Sequence, residues 1–240
     1  MMETVTTILL VLAAFLPAAF YIFYIIAFDS QKPEPPKVLL LSALLGGLAA
    51  LAVWFGVPVS SETVQVEVAH SWKESLETGF LQLAIPAEVA KWMLLCIFFS
   101  LNKFYDEHID GIVYSVCLAM GYAGVWGAWF LSDLFGSSCP VSTETILVIA
   151  FLLIPLHLIA ATVMGYFLAL ARDSHKVRNH LLALFVPIVV SGLICSMALM
   201  IGNHWEYYLI MDVLLVILGM VFYTQIFKLL EMDGVKMDKK

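Results

Sequence analysis

Two oppositely charged side chains stand in an apolar run. Residues 79–101 read GFLQLAIPAEVAKWMLLCIFFSL, with Glu88 and Lys91 near the middle. Three residues apart on a helix, they are neighbours on one face. Each costs about 2.5–3.5 kcal/mol at a bilayer midplane on insertion scales, so such residues face a bundle interior and pair with something. A carboxylate at that depth can take a proton from water, and an ammonium beside it can keep it ionised or bind an oxyanion. The same two residues also read as a structural ion pair. A third candidate, His157, lies in the apolar run 144–171. It reads either as a ligand or proton carrier, or as a core histidine bonding a carbonyl freed by Pro155 two residues before it.

These residues need a membrane scaffold around them. The chain has 240 residues, 62% of them hydrophobic, and a mean hydropathy of +0.96, which lies outside the soluble range. Spans need about 20 mainly apolar residues. Seven such runs occur, near 4–27, 38–58, 79–101, 111–135, 144–171, 180–201 and 207–227. The first is too long for a signal-peptide core and has no basic leader, so it is read as a span. No linker separates two units, and the expectation is one transmembrane domain over 1–240: an all-α polytopic bundle of about seven helices. Alternation in TVQVEVAH at 63–70 predicts a short strand or an interfacial segment in the loop 59–78.

Basic residues orient the bundle. Lys32, Lys37, Lys103, Arg172, Lys176, Arg178, Lys228, Lys236, Lys239 and Lys240 fall on one side and Lys73 alone on the other. The N-terminus is therefore expected outside and the C-terminus in the cytoplasm. Arg172, Lys176 and Arg178 are expected to touch anionic lipid. The lipid bilayer is the first partner, and nothing in the composition points to nucleic acid. Four cysteines form neither a CxxC pair nor a zinc-ribbon spacing, so no disulfide framework or closed zinc site is read from them.

Pro86, Pro155 and Pro187 lie two, two and four residues before Glu88, His157 and Ser191. Mid-membrane prolines free carbonyls and bend helices, so a polar cavity is expected where the three bends meet. In the fourth run Gly111, Ser115, Ala119, Ala123 and Gly127 recur every fourth residue, a stripe that admits a neighbouring helix closely. Asp106, Glu107 and Asp110 precede or open that run, where carboxylates favour the helix dipole. Asp106 and Glu107 are expected to pair with Lys103 or the basic loop after 171.

Four segments in order carry a resemblance: AEVAK at 87–91, DEHIDGIVY at 106–114 followed by MGYAG at 120–124, HLIAATVMGY at 157–166, and SGLIC at 191–195. Together they resemble the PrsW family of intramembrane proteases, within the wider CAAX-protease and bacteriocin-processing group. The likeness covers about 85–200, and a PrsW-like core is placed at about 79–201. The family pattern has Glu-Glu-x-x-Lys in the first segment. It then has Asp-Glu-Pro-x-Asp-Gly-Ile-x-Tyr leading to Gly-Phe-Ala-x-x-Glu-Asn, a His eight residues before a Gly, and a final His-Gly-Leu-Tyr. Glu88, Lys91, Asp106, Glu107, Asp110, His157 and Gly165 match it. Ala87 stands for the leading Glu, His108 for the loop Pro, Trp126 for the Glu of the Glu-Asn pair, and Ser191 for the last His.

The resemblance implies hydrolysis of membrane-anchored proteins by residues at Glu88, Lys91 and His157. Asp106, Glu107, Asp110, Gly165, Ser191 and Trp126 hold supporting positions. A hydrolytic metal needs about three protein ligands and one open position. Zinc on His157 is allowed by the resemblance, but the depleted set favours no cofactor. The expectation is an impaired protease in the bacterial inner membrane that still holds single-span proteins or their juxtamembrane segments. The alternative is an active endopeptidase of the site-1, anti-sigma-factor type, with a rearranged Glu88/His157 site. A proton relay through Glu88, Lys91 and His157 is the reading from a different class, and the absence of an internal repeat argues against it.

Overall fold

The computed structural model describes residues 2–27, 32–56, 71–136, 152–174, 176–201 and 205–234. Seven helices follow one another, and no strand occurs among the described residues. They are α1 (Met2–Ile26), α2 (Pro36–Gly56), α3 (Trp72–Leu101), α4 (Ile109–Gly136), α5 (Ile154–Ser174), α6 (Val177–Ile201) and α7 (Trp205–Met232). All but α1 contain a stretch long and apolar enough to cross a membrane; the described apolar part of α1 is the shorter Ala14–Ile26. The expected alternating stretch 63–70 lies outside the described residues. The end of that loop is helical instead, because Ser71 accepts a hydrogen bond from the Glu74 amide at 3.3 Å and starts α3 at Trp72. This is the Ser-x-x-Glu spacing of a helix start.

Burial ranks the helices. In α4, 78% of the spanning window is buried, against 18% in α7, so α4 is the axis and α7 the rim. Small residues let α4's neighbours approach. A Cβ on Gly165 of α5 would lie 2.3 Å from the Gly111 carbonyl, and one on Gly121 would lie 1.9 Å from the Ala43 carbonyl of α2. The stripe read from the sequence thus meets α5 at Gly111. A different glycine face, through Gly46 and Gly121, meets α2.

Proline shapes the two helices that carry the central charges. Pro86 has no N–H for the carbonyl four residues back, and the turn before it, Thr78–Ala84, is a π-helix in which the Ile85 amide reaches the Phe80 carbonyl. Residues 152–153, just before Pro155, are π-helical as well. Glu88 and His157 each sit four residues past such a widened turn, a feature that recurs at functional sites.

Candidate functional site

The expected charges meet. Lys91 Nζ donates to Glu88 Oε1 at 2.8 Å and lies 3.2 Å from His157 Nδ1, and Ser191 Oγ donates to the same Glu88 oxygen at 2.9 Å. Glu88 is 0% exposed, Lys91 1%, Ser191 2% and His157 9%. Tyr122 of α4 closes the group. Its ring meets the His157 ring edge-on with centroids 5.3 Å apart, and Lys91 Nζ lies 5.4 Å from its centroid. Gly165, two turns beyond His157, sets the depth of α5 against α4.

A cleft of about 610 Å3, its mouth included, opens beside this cluster. Glu88, His157 and Ser191 line it, and so do Ala87 and Trp126. Two positions that match the family pattern, Glu88 and His157, and three that depart from it, Ala87, Trp126 and Ser191, therefore share one surface. Cys195, the last residue of the SGLIC segment, lines it too, as do Gln82 and Tyr122, which were not singled out from the sequence. Tyr122 was visible in the GYAG segment. Gln82 carries no such signal, because only the helix crossings aim it inward.

The hydrogen bonds constrain the chemistry. An ammonium only donates, so His157 Nδ1 accepts from Lys91 and a neutral imidazole carries its proton on Nε2. His157 can then donate toward a developing oxyanion. Glu88 Oε1 already takes two donors, whereas Oε2 is buried with no hydrogen-bond partner among the described residues. Oε2 is the free acceptor of the site.

This donor set does not fit zinc. His157 offers neither nitrogen as a free lone pair in that tautomer, and an ammonium stands 3.2 Å away. Among the described residues, only Glu34, Asp106 and Asp110 form a group of three His, Cys, Asp or Glu with ligand atoms within 4.8 Å of one another. That acidic triad lies at the bundle end carrying the 102–108 loop. It offers hard oxygen donors of the kind that suit Mg2+ or Ca2+.

One oxygen of each triad carboxylate is engaged by the protein. Asp110 Oδ2 accepts the Asp106 and Glu107 amides at 3.0 and 2.7 Å, in the loop that leads into α4. The Tyr114 hydroxyl donates to Glu34, and Lys32 pairs with Asp106 at 2.8 Å and lies 4.0 Å from Glu107. The basic partner of Asp106 is thus Lys32, not Lys103, while Arg172 donates to the main-chain carbonyls of Asp106 and Glu107 at 2.6 and 3.1 Å. Burial and the nearby charge of Asp233 push the Glu107 carboxyl above its ordinary range, with Lys32 opposing. The hydrogen bond to Asp106 raises the Lys32 ammonium above its own.

Asp233, just past α7, was missed from the sequence. It accepts the His108 and Ile109 amides at 2.9 and 3.0 Å, and His108 Nδ1 at 2.6 Å. Gly234, at φ +83, turns the chain there. Asp233 lies 125 residues from His108, so no local pattern pairs them.

Comparison with known proteins shows the family. The model for the PrsW family intramembrane metalloproteases matches residues 34–230, wider than the 79–201 core and beginning at Glu34. Protease PrsW of Clostridioides difficile (strain 630) is 26% identical over 200 residues, covering 82% of this chain and 81% of that one. Protease PrsW of Bacillus subtilis (strain 168) is 28% identical over 185 residues, covering 76% and 78%. Protease PrsW of Oceanobacillus iheyensis is 26% identical over 184 residues, covering 75% and 79%. No solved structure matches the chain.

Proposed function

Because the chain belongs to the PrsW family of intramembrane metalloproteases and is an integral membrane protein, we propose that it receives single-span membrane proteins or their juxtamembrane segments in the mid-bundle cleft and is impaired in cutting them. One observation carries this reading. Ala87, Trp126 and Ser191, where the family pattern has two Glu and a His, line the same cleft as Glu88 and His157. Their replacement leaves one carboxylate there, and its Oε1 is held by Lys91 and Ser191. A donor set that does not suit zinc supports the same conclusion. We further assign 1–240 to one transmembrane domain in a bacterial inner membrane, N-terminus outside, from the distribution of Lys and Arg.

The second reading is an active endopeptidase. It is favoured by the unpartnered Glu88 Oε2 and by the Nε2–H that His157 presents. In that mechanism Glu88 Oε2 takes the proton of a water, whose oxygen attacks the scissile carbonyl. Nε2–H of His157 donates to the resulting oxyanion, and the proton held by Glu88 passes to the leaving amine.

One experiment separates the two. The purified full chain, Glu88→Ala and the triple variant Ala87→Glu/Trp126→Glu/Ser191→His are co-reconstituted with tagged single-span reporters drawn from the host membrane. The impaired reading expects no cleavage by the natural sequence and a gain in the triple variant. Cleavage by the natural sequence that disappears in Glu88→Ala would establish the active reading instead.

A further inference from the structure

Gln82 is the polar residue of the cleft that the cluster around Glu88 leaves unused. It lies in the π-helical turn Thr78–Ala84, six residues before Glu88, and lines the same cleft. Its side-chain oxygen Oε1 is buried, with no hydrogen-bond partner among the described residues. A buried acceptor without a donor costs free energy, so proteins rarely keep one in an apolar wall. Around it the wall is apolar, formed by Val53, Leu83, Ala84 and Leu153, with the Trp54 indole nearby.

The turn holding Gln82 is fixed from behind. The Ser75 hydroxyl donates to the Ser196 carbonyl. A Cβ on Gly79 would lie 2.8 Å from the Ser196 amide nitrogen, and one on Gly192 would lie 2.4 Å from the Phe80 ring. α3 and α6 are therefore in backbone contact on that side, and Gln82 faces the cleft from a braced turn. The backbone that carries the acceptor is held in place before any ligand arrives, which lowers the ordering cost of binding.

The donor that fits is a peptide N–H. Inside a membrane helix every N–H already bonds its own chain, so an intact span has none to give. A span broken by Pro or Gly, or unwound at its end, exposes one or more. On the reading of the cleft as a receptor for membrane-anchored polypeptides, we propose that Gln82 is a positioning and specificity residue: its side-chain oxygen takes the main-chain N–H of an unwound segment and selects broken spans over intact ones. The segment then lies across the cleft with its backbone near Glu88 and His157.

The test uses the full chain in detergent and two dansyl-labelled synthetic peptides of about 20 Leu and Ala residues, one with a central Gly-Pro pair and one without. Binding is read by energy transfer from the cleft tryptophans Trp54 and Trp126. The proposal expects the broken peptide to bind the natural sequence more tightly than the unbroken one. Gln82→Met, of similar volume, should weaken the broken peptide roughly tenfold and leave the unbroken one unchanged, while Gln82→Glu, which keeps an acceptor oxygen, restores most of the loss. Gln82→Leu is carried alongside, so that a folding failure of one apolar variant does not end the comparison. Unchanged binding of the broken peptide to Gln82→Met or Gln82→Leu overturns the proposal, and so does an equal loss for both peptides. If neither peptide binds the natural sequence, the polypeptide-receptor reading fails, and the role of Gln82 with it.

Discussion

The bundle carries two polar clusters built from the same residue types. At the loop end, Glu34, Asp106, Asp110 and Asp233 meet Lys32, His108 and main-chain amides. At mid-depth, Glu88 meets Lys91, His157 and Ser191. In the first cluster, Asp110 and Asp233 are spent on the amides at 106–109 that lead into α4, which have no helical partner of their own. The second sits within spanning helices, where main-chain amides bond within their own helices. Its polar side chains therefore answer each other, and one Glu88 oxygen is left buried without a hydrogen-bond partner among the described residues. The loop-end cluster is tied to the backbone at Asp110 Oδ2 and Asp233. The mid-depth cluster has binding capacity left over.

The contrast breaks most sharply at Lys91. Lys91→Met leaves a fully buried Glu88 unpaired and should cost about 3–5 kcal/mol, read by unfolding in detergent. Adding Glu88→Gln should recover most of it. A loss below about 1 kcal/mol in the single variant would mean that the pair is not ionic.

Gly165→Ala tests whether the mid-depth cluster depends on the α4–α5 crossing. Its Cβ would fall 2.3 Å from the Gly111 carbonyl, and overpacking of this kind costs about 1–3 kcal/mol. A variant of natural stability would show that the crossing can slide. Asp233→Ala removes a cap worth about 0.5–2 kcal/mol. Amide exchange should quicken at 108–112 and stay unchanged around Glu88. Quickening at both ends would join the two clusters into one cooperative unit.

The smallest effect is that of Glu107. Its carboxyl is raised in the fold, so its stabilising contribution is fully present below the ordinary value of 4.5 and is lost as pH rises through the raised one. Glu107→Gln should therefore be no less stable than the natural sequence at pH 7. Its Tm should lack the part of the decline that the natural sequence shows as pH rises through that window. Parallel pH profiles of the two proteins would mean that burial around Glu107 is not felt.

The amino-acid order determined the bundle, because spans, basic-residue asymmetry and prolines are local signals that the bilayer forces on any such chain. It also determined which residues could do chemistry: Glu88 and Lys91 are adjacent on one helix whatever the fold, and His157 and Gly165 share one face two turns apart. Tertiary structure decided what they do. That Lys91 reaches Nδ1 of His157, that Ser191 takes up a Glu88 oxygen, and that Ala87 and Trp126 share their cleft depend on how α3, α4, α5 and α6 cross. Asp233 against the start of α4 and Glu34 beside Asp106 join residues far apart in the chain. The physical reason is range: hydropathy and helix spacing act over one turn or one span, whereas a hydrogen bond between helices is set by close packing at glycines that only the folded chain brings together.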